Sequence, residues 1–113
     1  MLIQTPTLEV SQLEANLCSA FADPTRILIL YALNEHPHNV TELTKQLDAS
    51  QSKTSRHLKI LRDLGLVHTE REGTTITYEL ADCRLIDALN ILRGVLYDGI
   101  ANRANLLAEH EIA

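Results

Sequence analysis

Between residues 50 and 62 the chain reads Ser50-Gln51-Ser52-Lys53-Thr54-Ser55-Arg56-His57-Leu58-Lys59-Ile60-Leu61-Arg62. Hydroxyls, an amide and a guanidinium are groups that read base edges in a DNA major groove, and lysines among them neutralise phosphates. On a helix turning ~100° per residue, Leu58, Leu61 and Thr54 fall on one side, with Gln51 nearby. Ser52, Arg56, Lys59 and Asp63 fall in a narrow arc opposite, flanked by Ser55, Lys53 and Ile60. The outward face is therefore small, polar and mainly positive. The N-terminal part of a recognition helix sits deepest in the groove. Gln51, Ser52, Ser55 and Arg56 are thus expected nearest the bases, and Lys53 and Lys59 at phosphates. Thr41, Ser50 and His57 complete this part of the candidate set; His57 lies at the margin of the face, with packing or a phosphate contact as its two readings.

A basic helix face is often only a solvated face. The elements around this one argue for more. Asn39 is placed to cap a helix over Val40–Leu47, with Glu42 reaching back in a capping box and Val40, Leu43 and Leu47 as its buried stripe. Asp48-Ala49 makes a tight turn. Ser50 caps the basic helix, which runs to Leu64 and ends at Gly65. Two short helices joined by a tight turn over residues 40–64 are a helix-turn-helix. Directly after it the period changes to that of strands: Leu66–Arg71 and Thr75–Leu80, joined through Glu72-Gly73-Thr74. This hairpin, 66–80, is a wing, with Ile76, Tyr78 and Leu80 on one face. Arg71 and Thr74, with Thr75, lie near its tip, where Arg71 can reach a minor groove or a phosphate.

Three more helices frame these elements. The first is expected over 8–22, with Leu13, Leu17, Ala20 and Phe21 at helical spacing. Pro24 opens the second, which runs to about Asn34 and holds the dense run Ile27–Leu30, expected at the centre of the core. Glu35–His38 is expected as a loop. Asp82 is expected to cap a last helix over 83–109. Its stripe Leu85, Leu89, Leu92, Leu96 and Ile100 wants a partner helix. The fold class is mainly α with a small β-hairpin: one winged helix-turn-helix domain over 1–113, with residues 1–7 expected to be flexible.

The whole chain of 113 residues carries a net charge of −5, which by itself speaks against nucleic acid. Its distribution matters more. From Ser50 to Arg71 five cations face two carboxylates, a local +3, so the acidity belongs to the remainder. With no tryptophan and a single phenylalanine, the core must come from aliphatic residues, which suits packed helices. No secretory signal is visible, and no run approaches the ~20 apolar residues of a membrane span. The expected location is the cytoplasm, with no membrane partner. The chain has no Gly-rich phosphate loop, HExxH or GxSxG, so an enzyme is not expected. The competing class is a winged helix that serves as a protein-interaction module without specific DNA binding.

Phe21-Ala22-Asp23-Pro24-Thr25-Arg26-Ile27-Leu28-Ile29-Leu30 resembles the LADPTRLRIL signature of the ArsR/SmtB family of repressors. Residues 50–62 resemble that family's SQSTVSRHLKVLR recognition helix. Gly65-Leu66-Val67, Arg71-Glu72-Gly73 and Tyr78 look like its wing. The resemblance spans roughly residues 15 to 95. It implies a winged-helix homodimer joined through the first and last helices (8–22 and 83–109), bound to inverted-repeat, double-stranded operator DNA. It also implies repression relieved by an inducer.

The family's common sensor motifs are not intact here. Thr41–Leu47 has no cysteine where some members carry ELCVCDL. Asp82 is followed by Cys83 and Arg84 rather than by Asp-x-His, and no histidine follows until His110. Tyr31 stands at the second-helix position where thiol sensors have a cysteine. The candidate sensor thiols are therefore Cys18 and Cys83, 65 positions apart, on helices that pack together in the dimer implied by the resemblance. Thiolates bind soft metals and metalloids or oxidise, although two are too few for a closed tetrahedral site. The plainer reading makes Cys18 a small buried hydrophobe and Cys83 an incidental residue near a cap. No cofactor is expected to be required; a metal, a metalloid or thiol oxidation are the candidate effectors. His36 and His38 flank Pro37 on an expected exposed loop, where facing solvent is commoner than ligating a metal, and His110 lies near the chain end.

Overall fold

The computed structural model describes residues 5 and 7–112, with side chains to residue 109. Most of the expected flexible segment 1–7, and the side chain of His110, lie outside the described residues. The chain divides at Asp82/Cys83 into two compact units.

In the first unit, α1 (Leu8–Cys18) starts where Thr7 Oγ1 accepts the Val10 N–H at 3.2 Å. The expected single helix 8–22 tightens at its end into a 3₁₀ turn, Ser19–Ala22. Asp23 leaves the helical region, and its Oδ1 accepts the Thr25 N–H at 2.7 Å, capping α2 (Pro24–Glu35) with Pro24 in the first turn. Such a cap satisfies a donor that the helix cannot, and proline forfeits nothing there. Helix α2 packs against the 3₁₀ turn, α3, α4 and β3. Ile29, Leu30, Ala32 and Leu33 are its buried residues. The apolar run is less central than its composition suggested: Leu28 is 53% exposed, because a helix turns one residue in four outward even when all four are apolar.

The expected loop 35–38 is corrected at its end. His38–Asn39 form a short strand, β1, paired antiparallel with β3 through His38↔Tyr78 and Asn39↔Thr77. His38 is consequently buried rather than facing solvent. Its ring stacks on that of His36, with centroids 4.0 Å apart. His38 Nδ1 donates to the His36 carbonyl at 2.7 Å, and His36 Nδ1 to that of Pro37 at 2.8 Å.

Helix α3 (Val40–Leu47) has the expected capping box: Asn39 Oδ1 accepts from Glu42 N at 2.8 Å, and Glu42 Oε1 from Asn39 N at 3.0 Å. Leu43 is buried, while Val40 and Leu47 are half-buried. Asp48 ends the helix in the left-handed region at φ 51°, a conformation that aspartate tolerates better than most residues. Two residues later Ser50 Oγ accepts the Lys53 N–H at 3.2 Å and opens α4 (Gln51–Asp63). Beyond α4, Gly65 at φ 75° lets its N–H reach the Arg62 carbonyl and the Leu66 N–H reach that of Leu61, both at 2.9 Å. This is a Schellman motif, with Leu61 and Leu66 as its buried apolar pair.

Strands β2 (Val67–Glu72) and β3 (Thr75–Leu80) form the wing, joined by Gly73-Thr74 with Gly73 at φ 63°. Glycine at the first position of a two-residue hairpin loop suits the twist of the strands. The sheet has three strands, in the order β1-β3-β2, instead of a hairpin alone. As its central strand, β3 is half-buried at every position from Ile76 to Leu80. The alternation in its sequence therefore does not divide it into a dry and a wet face.

The second unit is α5 (Arg84–Ile112). It begins one residue later than expected, with the Ile86 N–H on the Cys83 carbonyl at 3.1 Å. Ile86 and Leu89 are buried, whereas Ile91, Leu92, Val95, Leu96, Tyr97 and Ile100 are exposed. Among the described residues no helix is long and apolar enough to cross a membrane.

Candidate nucleic-acid interface

Helix α4 separates its residues as its periodicity predicts. Thr54, Leu58 and Leu61 are fully buried. Thr54 satisfies its hydroxyl on the Ser50 carbonyl at 2.9 Å, so this polar group does not weaken the core. Gln51, Ser52, Lys53, Ser55, Arg56 and Lys59 are all exposed, as is Ser50 at the cap. Lys59 Nζ lies 3.0 Å from Asp63 Oδ2, one turn on. Exposed pairs of this kind contribute little, so a phosphate can displace the carboxylate at small cost.

On the wing, Arg71 and Thr74 are exposed. Arg71 pairs across the strands with Ile76, while Glu70 and Glu72 pair with Thr77 and Thr75. Alternation of side chains thus turns the arginine and the two carboxylates to opposite faces. Thr41 is exposed on the first turn of α3. The structure brings it to the wing tip: Asn39, Val40 and Thr41 line one side of a cleft of about 270 Å³, and Thr74, Thr75 and Ile76 the other.

His57 is placed differently from the rest of the candidate set. It is 5% exposed and belongs to the inward side of α4, which excludes the phosphate contact and leaves packing. It joins two residues that spacing did not single out. Arg26 Nη1 lies 3.2 Å from His57 Nδ1, and Asp23 Oδ1 lies 3.8 Å from His57 Nε2. The second distance is an electrostatic approach, too long for a hydrogen bond, and Nε2 is a buried polar atom without a hydrogen-bond partner. The legible signal was Asp23 as a helix cap with Arg26 one turn later. The 31 positions between Arg26 and His57 put their contact beyond any local pattern.

Burial pushes the His57 imidazole below its ordinary 6.5; Asp23 opposes the shift, while Arg26, Arg56 and Lys53 reinforce it. For Asp23, partial burial acts upward, but the Thr25 N–H, His57 and Arg26 outweigh it and bring the carboxyl below 3.8. In both cases the folded state binds fewer protons than the unfolded one, so stability rises with pH. It is complete above 6.5 for His57 and above 3.8 for Asp23, and is lost as pH falls through the lowered folded values. The expected result is a urea midpoint that falls as the solution is acidified below pH 6.5. A midpoint that rises on acidification over that range would contradict this environment for His57.

Both candidate thiols are exposed. In the single chain Cys18 is not buried, and α1 has no buried residue at all. Among the described residues no three His, Cys, Asp or Glu side chains are grouped to hold a metal.

The profile of the family described as "Bacterial regulatory protein, arsR family" matches residues 23–69, from the α2 cap into the wing. The chain is 38% identical over 76 residues to the HTH-type transcriptional regulator NmtR of Mycobacterium tuberculosis, covering 67% of this chain and 63% of that protein. It is 37% identical over 91 residues to the biofilm growth-associated repressor of Agrobacterium fabrum, covering 77% and 78% of the two chains. Among solved structures, a homodimeric winged helix-turn-helix DNA-binding domain from Mycobacterium bovis superposes with a TM-score of 0.67 at 26% identity, covering 87% of this chain and 91% of that one. The chain spans less than two thirds of the length of NmtR. The matched residues take in α2, α3, α4 and the start of β2, and the chain belongs to the arsR family of bacterial regulatory proteins.

Proposed function

We propose that the protein is a cytoplasmic, sequence-specific transcriptional repressor that binds an inverted-repeat operator as a homodimer. The observation that carries this reading is the division of α4 into a buried aliphatic side and an exposed arc of Ser52, Ser55, Arg56 and Lys59. That arc is narrow enough to enter a major groove and has donors suited to guanine edges and phosphates. Gln51, Ser52, Ser55 and Arg56 read bases. Ser50, Lys53, Lys59 and Thr41 hold the backbone, and Arg71 and Thr74 extend the contact from the wing. Each chain contributes one winged-helix domain. The apolar residues exposed on α1 (Leu8, Val10, Leu13) and on α5 (Leu92, Val95, Leu96) supply the surfaces for dimerisation. The Mycobacterium bovis relative, described as homodimeric, supports this arrangement. An effector would act at the exposed thiols Cys18 and Cys83, as a soft metal or metalloid or as an oxidant.

The test is fluorescence anisotropy on the chain's own upstream DNA and on a scrambled duplex at ~150 mM salt. Specific repression requires a preference of about 1000-fold. With about three phosphates neutralised per chain, log K should fall with a slope of about −5 against log salt. Equal, weak binding to both duplexes with a flat salt dependence would favour a winged helix that serves a protein partner.

A further inference from the structure

Arg26 is half-buried, and all three of its guanidinium nitrogens lie against other parts of the chain. Its Nε donates to the Ala20 carbonyl at 2.9 Å and its Nη2 to the Ser19 carbonyl at 3.2 Å. These carbonyls belong to the 3₁₀ turn that continues α1. The remaining arm, Nη1, reaches His57 Nδ1 on the inward side of α4. One planar side chain thus spans the end of α1, the start of α2 and the recognition helix.

We infer that Arg26 is a positioning residue for DNA reading, and that neutral His57 is the latch through which it holds α4 to the 3₁₀ turn. The inference rests on the reading of α4 as the DNA-facing helix. A guanidinium can only donate, so the Arg26–His57 contact is a hydrogen bond only when Nδ1 carries no proton. The ring must then be the Nε2–H tautomer, and that proton faces Asp23 at 3.8 Å. His57 is followed by Leu58, and Arg56 precedes it. A rotation of α4 that breaks the tie also moves Arg56, which stands one residue away on the exposed side.

The latch has a built-in release. A second proton, on Nδ1, would oppose donor to donor against Arg26 and free the ring to lean toward Asp23. The charged groups around the ring are Asp23 and Arg26 from the start of α2, and Arg56 and Lys53 from its own helix; three cations against one carboxylate, together with burial, keep the ring neutral near pH 7. Acidification therefore acts on this site against the general trend. Protonation of surface histidines adds positive charge and strengthens attraction to phosphates, whereas protonation of His57 loosens the reading helix.

The test uses the full chain, as wild type, Arg26→Lys and His57→Asn, with imidazole ¹⁵N NMR for the tautomer and anisotropy on native and scrambled duplexes. Wild type should show His57 with Nε2–H alone at pH 7.5, and its native-to-scrambled preference should drop about tenfold as acidification below pH 6.5 protonates the ring, the size of one charge-assisted hydrogen bond. Arg26→Lys keeps the charge but not the fork. It should mix the tautomers and lose about tenfold in preference while its affinity for scrambled DNA stays within about twofold. His57→Asn, whose amide oxygen can accept in place of Nδ1, should keep the preference at pH 7.5 and flatten the pH profile. An Nδ1–H tautomer in wild type, an unchanged tautomer and preference in Arg26→Lys, or the same pH profile in wild type and His57→Asn each overturn the inference. A chain that prefers no duplex overturns the DNA reading and the positioning role together; the tautomer still shows whether the tie itself exists, which separates that failure from a failure of the latch.

Discussion

Arg56→Ala should erase the preference for the operator while leaving the chain folded and dimeric. Arg56 lies at the middle of the exposed arc of α4 and makes no hydrogen bond or ion pair among the described residues. Its removal therefore leaves no buried group without a partner and creates no cavity, so the usual routes to large destabilisation are closed. Its value is at the groove. A bidentate arginine–guanine contact is worth about 1–3 kcal/mol of discrimination, and a dimer makes it twice. Operator affinity should fall by about two to four orders of magnitude, and binding to scrambled DNA by far less. Lys59→Ala makes the contrast: removing a phosphate-binding cation should weaken all duplexes alike and reduce the salt slope. Arg56→Ala with wild-type operator affinity would remove the arc of α4 from the groove.

A second large effect is expected from charge placed on α5. Leu92 and Leu96 are 55% and 59% exposed in the single chain, and stand one turn apart on a helix whose first turns bury Ile86 and Leu89. Leu92→Glu with Leu96→Glu costs the single chain little, because both positions are already in water. In a dimer the same carboxylates would have to leave water without partners, which costs several kcal/mol for each. Sedimentation at micromolar concentration should then show monomers with unchanged helix content. Operator affinity should fall by at least about 1000-fold, since one half-site must hold each chain alone. A double variant that remains dimeric would place the interface elsewhere.

The reading of the chain from its residues succeeded where structure depends on neighbours a few positions away. Asn39 with Glu42, Ser50, Gly65 and Gly73 are start, stop and turn signals whose partners lie within about five residues, so their geometry follows from type and spacing. Apart from Gln51 and His57, the exposed and buried sides of α4 follow from the helical period. Three features were not legible. Strand β1 has two residues, too few to show a period, and exists only because His38 and Asn39 find Tyr78 and Thr77. Leu28 is as apolar as Ile29, yet one is exposed and the other buried, because neighbouring elements cover only part of α2. Cys18 is a residue type that is usually buried, but it closes a helix with no buried residue.

The chain's own residue order determined the helix-turn-helix, the wing and the polar groups on the outer arc of α4, because these rest on hydrogen bonds and periodicities local to the chain. The tertiary structure decided which polar residue of α4 turns inward. His57 stands at the margin of two faces on the helical wheel, and only the arrival of Arg26 and Asp23 from the start of α2 draws it away from solvent. A contact between distant positions has no period and no spacing; it forms when packing brings the elements together, and so it becomes visible only in the fold.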